Sequence, residues 1–163
     1  MSIKRIRLVA GIWLAVSGPS TGQALRPISS AEVCGQCHLS IVESWKGSAH
    51  ARSMESRLFQ DAMAAAEREA GPGARAGCLG CHAPLAVQTG DSGLERKVSW
   101  EGVTCDFCHS ISHVDLRSPE NPYRLQVGAA KFGPLKDAFS QGHAVSFSRV
   151  HTDPVVCGGC HES

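Results

Sequence analysis

Apolar positions are distributed unevenly along this chain. A nine-residue apolar run, Leu8 to Val16, follows the basic residues Lys4, Arg5 and Arg7 and precedes a small, polar stretch from Ser17 to Ala24. That order predicts a secretory signal peptide over residues 1–24, with Gly22 and Ala24 at the small-x-small positions and cleavage after Ala24. The run is too short to cross a bilayer, which takes roughly 18 or more apolar residues, and no later stretch reaches that length. The clearest amphipathic pattern is Ser53 to Ala70, where Met54, Leu58, Ala62, Met63 and Ala66 recur near helical spacing. Ser53 is placed to cap this helix and Gly71-Pro72 to end it. Residues 71–77 read as a loop. Residues 85–99 and 114–142, with Pro119, Pro122, Gly128, Gly133 and Pro134, read as irregular connections with short helices. Strand-type alternation is weak throughout. The expected fold class is mainly α with extensive irregular loops and little or no sheet.

Composition sharpens this. Aromatic residues make up 6% of the chain, thin for a core built from side chains alone, while 17 Gly and 8 Pro favour loops. The formal net charge is +1, and loss of residues 1–24 removes three basic groups, leaving 13 against 15 acidic and a net charge of −2. A mildly acidic domain of residues 25–163 offers no broad basic surface for nucleic acid.

The cysteines supply the missing interior. All 8 fall into four pairs, each followed at once by histidine: Cys34-Gly-Gln-Cys37-His38, Cys78-Leu-Gly-Cys81-His82, Cys105-Asp-Phe-Cys108-His109 and Cys157-Gly-Gly-Cys160-His161. Disulfides do not require the histidine, and zinc does not need it at one fixed offset in every motif. C-x-x-C-H is the attachment signature of c-type haem: two thioethers from one helical turn, and an imidazole aimed at the iron. Four haem c groups are expected, with His38, His82, His109 and His161 as proximal ligands. Motif starts are 44, 27 and 52 residues apart, so there is no structural repeat.

Four further histidines remain: His50, His113, His143 and His151. Their number matches the irons, which suggests bis-His ligation. Met54 and Met63, the methionines left after leader removal, sit on the apolar helix face and read as core. His50 has small neighbours, which let a porphyrin approach the backbone. His113 lies four residues after His109, one helical turn on, and reads as a ligand to another haem. Covalent haem must offset a backbone ordering cost of roughly 1–2 kcal/mol per residue, so the haem-free chain is expected not to fold.

Three stretches resemble small multihaem cytochromes: Trp100-Glu-Gly-Val-Thr-Cys105-Asp-Phe-Cys108-His109, Glu43-Ser-Trp45…Ser48-Ala-His50-Ala, and Cys78-Leu-Gly-Cys81-His82-Ala-Pro84. Residues 31–113 are similar to the tetrahaem cytochrome c-554 type, and 114–163 only through the last motif and its upstream histidines. The resemblance implies a small multihaem fold organised around its haems, with the haems stacked in parallel and perpendicular pairs. It implies crossed ligation: His50 to the third haem, His113 to the first, and His143 and His151 shared between the fourth and the second. The family includes a member whose second haem is five-coordinate. The expected function is periplasmic electron transfer without bond chemistry. The expected partners are redox proteins: quinol-oxidising or terminal oxidoreductases and other cytochromes. A nitrogen-species reductase at a five-coordinate haem and a subunit of an extracellular filament are the alternatives, the latter through self-association. Peripheral membrane association is compatible with either location.

Overall fold

The structure is a computed structural model that describes residues 28–118 and 120–162. The expected signal peptide, residues 1–24, lies outside the described residues. Helix α1 (Ala31–Gly35) starts at Ser30, whose side chain accepts from the Glu32 amide, and leads into α2 (Leu39–Lys46). The long amphipathic helix is α3 (Arg57–Ala70), and Ser56, not Ser53, caps it by accepting from the Phe59 amide at 3.3 Å. Ser53 instead donates its hydroxyl to the carbonyls of His50 (3.0 Å) and His82 (2.6 Å), which ties two sequence-distant segments together. On the same pattern Met54 and Met63 are buried, but Leu58 is 81% exposed.

Gly71, at φ +85°, ends α3, a left-handed conformation that glycine adopts at little cost. Pro72 then opens α4 (Pro72–His82), because its fixed φ and missing N–H suit a first helical position. Residues 72–77, expected as loop, are therefore helical. They extend the second motif backwards against α3, where Arg75 Nη1 bonds Glu67 Oε2 at 3.2 Å. Helix α5 (Pro84–Gln88), a 3-10 turn (Lys97–Trp100) and α6 (Cys105–Cys108) follow.

Beyond α6 the expectation of short helices fails. Among the described residues there is no α-helix between Cys108 and Val155; four short strands fill the interval instead. Strand β1 (Ile111–Val114) pairs antiparallel with β2 (Tyr123–Leu125), Ile111 opposite Leu125 and Val114 opposite Tyr123. Strand β3 (Ala130–Gly133) pairs in parallel with β4 (Ala144–Phe147). Strands of three or four residues carry too little alternation to be read, and their pairing is dictated from outside. The Phe132 amide bonds the His109 carbonyl, and the Gln126 amide bonds the Ser110 carbonyl, both at 2.8 Å. A 3-10 turn (Arg149–Thr152) and α7 (Val155–His161) complete the chain.

Twelve hydrophobic side chains form the buried core among the described residues, and ten of them gather in two small clusters. One gathers Met54, Met63, Leu79, Ala83, Ala86 and Leu94, with Cys78 against it. The other gathers Leu85, Phe107, Ile111 and Tyr123, with Cys108 and Cys160 against it. Both cores are thus built onto motif cysteines.

Candidate haem centres

Each motif holds its cysteines on one turn. Helices α4, α6 and α7 carry the last three; the first begins in α1 and closes with the His38 amide bonded to the Cys34 carbonyl at 2.9 Å. Thr104 caps α6, its hydroxyl accepting from the Phe107 amide at 3.3 Å. The motifs also meet one another. Cys34 shares a side-chain hydrogen bond with Cys105, and this holds the Cys34 thiol down at about 7 while the Cys105 thiol is pushed up. Burial, with Cys160 alongside, pushes the Cys81 thiol up to about 11; burial, with Cys157 and Cys160 nearby, does the same to Cys108. Side-chain hydrogen bonds between sulfurs therefore join the first motif to the third and the fourth to the second, and Cys108 of the third and Cys160 of the fourth pack against the same apolar cluster. Tyr123 supports this junction, its hydroxyl donating to the Val156 carbonyl at 3.1 Å and lying 3.6 Å from Cys160 Sγ.

The histidines meet in twos. Ring centroids are 6.2 Å apart for His38 and His143, 6.1 Å for His50 and His161, and 6.2 Å for His109 and His151. Metal–imidazole bonds are about 2.0 Å and a ring nitrogen lies about 1.15 Å from its centroid, so two imidazoles trans on one metal stand about 6.3 Å apart. Each pair joins one motif histidine to one of the remaining four. The spacing fits a metal between the rings. The pairing departs from the crossed pattern expected from the resemblance: His50 faces His161 instead of His109, and His143 faces His38. His113 is exposed on β1, so it is not one helical turn beyond His109, and among the described residues no imidazole faces it. The His82 ring faces no histidine either. It stacks on Phe59 at 3.8 Å and 13°, a partner that no local pattern singles out beyond its place on α3.

Ring tautomers follow from the backbone. Carbonyl oxygens only accept, so a ring nitrogen bonded to one carries the proton and the other nitrogen keeps its lone pair. His82 Nδ1 donates to the Ser53 carbonyl (3.1 Å), His109 Nδ1 to Phe132 (2.6 Å) and His143 Nδ1 to Ala144 (2.9 Å). This is the outer-shell arrangement that orients metal-binding imidazoles.

His50 owes its position to Gly102. At φ +69°, a Cβ on Gly102 would collide with the His50 carbonyl oxygen and the Ser53 hydroxyl. The Val103 amide then bonds the His50 carbonyl at 3.0 Å, and Trp45 Nε1 donates to the Val103 carbonyl at 2.9 Å. Small residues around His50 thus serve a close backbone approach. Exposed apolar side chains flank the His38–His143 pair along the chain: Val33, Leu39 and Ile41 on one side, Leu135, Phe139 and Phe147 on the other. Asp106, inside the third motif and nearly fully buried, is neutralised by Lys131 Nζ at 2.5 Å and accepts from the Ser29 amide. That pair was not legible in the sequence, because Lys131 lies in β3, 25 positions away.

A family profile, cytochrome c554 and c-prime, matches residues 33–110. Cytochrome c-554 of Nitrosomonas europaea is 26% identical over 94% of this chain, which spans 65% of that protein's length. The fold resembles the crystal structure of a penta-haem cytochrome c552 from Thermochromatium tepidum, with a TM-score of 0.63 and 23% identity over 83% of this chain and 46% of the other. The matched segment contains the first three C-x-x-C-H motifs, His50 and Gly102, and it is through this segment that the chain is similar to the cytochrome c554 family.

Proposed function

We propose that residues 25–163 form an exported tetrahaem electron carrier, with iron held by His38 and His143, by His109 and His151, by His161 and His50, and by His82 alone. The observation that carries this reading is the three imidazole pairs at 6.1–6.2 Å, each uniting a motif histidine with a distant one. Haem held between two imidazoles supplies one-electron chemistry at low potential and leaves no open coordination position. The chain's own residues do the rest. Backbone carbonyls of Phe132 and Ala144 fix His109 and His143. Gly102 and Trp45 seat His50 against the third motif. Sulfur hydrogen bonds join the first motif to the third and the fourth to the second, and the third and fourth share one apolar cluster, which supports an order first, third, fourth, second with the first and second motifs at its ends. Electrons then enter and leave at those two ends. The partners are other redox proteins met transiently in the periplasm, through small interfaces.

His82 favours a second reading for one site. It has an orienting bond from Nδ1 to Ser53 and a stacking partner in Phe59, but no imidazole opposite. The second motif then leaves one coordination position for a small exogenous ligand such as a nitrogen oxide.

The test is the holoprotein's mass, optical spectrum and spin-resonance spectrum. The expected result is four added macrocycles, three low-spin irons and one iron that responds to carbon monoxide. A colourless protein, or a mass without the macrocycles, overturns the carrier. Four low-spin irons inert to carbon monoxide overturn the open second site alone.

A further inference from the structure

We infer that Phe59 is a positioning residue of the second centre: its ring lies flat on the His82 imidazole and fixes the plane in which that imidazole presents Nε2. The inference rests on the open second site proposed above and names what holds its one protein ligand.

The other three motif histidines have an imidazole as their ring neighbour, at centroid separations of 6.1–6.2 Å. On His82 the neighbour is Phe59, at 3.8 Å and 13°. Carbon atoms in contact stand about 3.5–4.0 Å apart, so nothing fits between these two rings. The lone pair of an imidazole nitrogen lies in the plane of the ring, whereas Phe59 covers the face. The stack therefore leaves Nε2 free to bind. His82 Nδ1 donates to the Ser53 carbonyl at 3.1 Å, and the Ser53 hydroxyl donates to the His82 carbonyl at 2.6 Å. These bonds hold one edge of the ring but let it swing about the line from Nδ1 to the oxygen. A flat side chain against the face removes that swing.

The local chain puts an aromatic ring at this point. Phe59 is the third residue of α3, four before the buried Met63, whereas its neighbour Leu58 is 81% exposed. Residues four apart share a helix face, so Phe59 and Met63 point the same way. The first turn is pinned on both sides. The Phe59 amide donates to the Ser56 hydroxyl at 3.3 Å, and Gln60 Nε2 donates to the Met54 carbonyl at 2.8 Å. Phe59 packs against the cluster that includes Met54, Met63 and Leu79, and so does Cys78. Cys78 and His82, four apart on α4, thus share their support with Phe59. Filling that cluster takes only apolar bulk, but holding the plane of an imidazole takes a flat ring. Contacts behind a ligating imidazole orient it and tune its metal.

Phe59→Leu keeps an apolar side chain without the flat ring, and Phe59→Tyr keeps the ring. The test is resonance Raman spectroscopy of the reduced holoprotein, in which the iron–histidine stretching band arises from five-coordinate ferrous haem and so isolates the second site. The expected result is one band in the wild type, shifted or broadened in Phe59→Leu and restored in Phe59→Tyr, with the three ferric low-spin signals unchanged throughout. If the band is the same in Phe59→Leu, Phe59 is only core filling, and the inference fails while the open site stands. If Phe59→Tyr departs as Phe59→Leu does, the stacked ring is not the agent and the inference fails. A low-spin signal lost alongside marks a general disturbance and likewise overturns it. A wild type without the band has a six-coordinate second iron; the open-site reading falls and the inference with it. A crystal structure of the wild-type holoprotein tests the same point without a variant: Phe59 is expected on the face of His82, and a ring displaced from that face overturns the inference.

Discussion

Replacing Lys131 by methionine removes one charge and keeps most of the stem length. Lys131 Nζ lies 2.5 Å from Asp106 Oδ1, with the two side chains 19% and 2% exposed. At that distance and an effective dielectric of about 20, the gross attraction is about 7 kcal/mol. The net effect is smaller, since both charges also gave up hydration. Breaking a buried pair from one side typically costs about 3–5 kcal/mol, because the remaining charge stays buried. The Ser29 amide still donates to Asp106 Oδ2 at 2.5 Å, which points to the lower end, about 3 kcal/mol. For a domain of this size that is a fall of roughly 10 °C in Tm. The assay is thermal melting of the ferric holoprotein followed by far-ultraviolet circular dichroism at neutral pH. Adding Asp106→Asn to Lys131→Met should recover most of the loss, and the four proteins together form a double-mutant cycle. The carboxylate left unpaired beside Cys34 and Cys105 should also lower the potentials associated with the first and third motifs. A Lys131→Met protein that melts within about 3 °C of wild type, or a double variant no more stable than Lys131→Met, would refute the reasoning.

Other outcomes follow from the same contacts. Gly102→Ala, forced into a left-handed conformation and against the His50 carbonyl, should displace His50; a stability loss of about 1–3 kcal/mol and the conversion of one low-spin iron to high spin would be read by denaturation and spin resonance. His143→Ala should likewise cost one low-spin iron, whereas His113→Ala should leave the count unchanged; a lost low-spin signal in the latter would show that His113 is a ligand after all. Gly159→Ala places a methyl 2.6 Å from Pro122 and 2.7 Å from Tyr123, and should destabilise the holoprotein by about 1–3 kcal/mol in denaturant titration. Haem-free chain, made by replacing the motif cysteines, should lack the helical circular dichroism of the holoprotein; native-like helix without haem would contradict the dependence on haem burial.

The degree to which the chain could be read in advance varied with the range of the interactions. The cysteines and motif histidines were legible because a covalent chemistry demands fixed offsets within five residues. The body of α3 was legible because its apolar period is local, although the cap moved to Ser56 once Ser53 was recruited by the His50 and His82 carbonyls. Helix α4 was obscured by glycines and a proline that read as loop until Pro72 is placed at a first helical position. Strands β1 to β4 were hidden because each is three or four residues long and its partners lie elsewhere. Gly102 was visible within a recognisable motif, but its reason, contact with His50, was not.

From the amino-acid order alone one reads which sulfurs and imidazoles are grouped, that there are four such motifs, and that side chains alone make a meagre interior. They are legible because those constraints act between neighbours in the chain. Only the tertiary structure decided which distant imidazole faces which motif, leaving His113 on the surface and His82 against Phe59. Those outcomes depend on backbone carbonyls and glycine contacts brought together from 23 to more than 100 residues apart, and no local pattern encodes such distances.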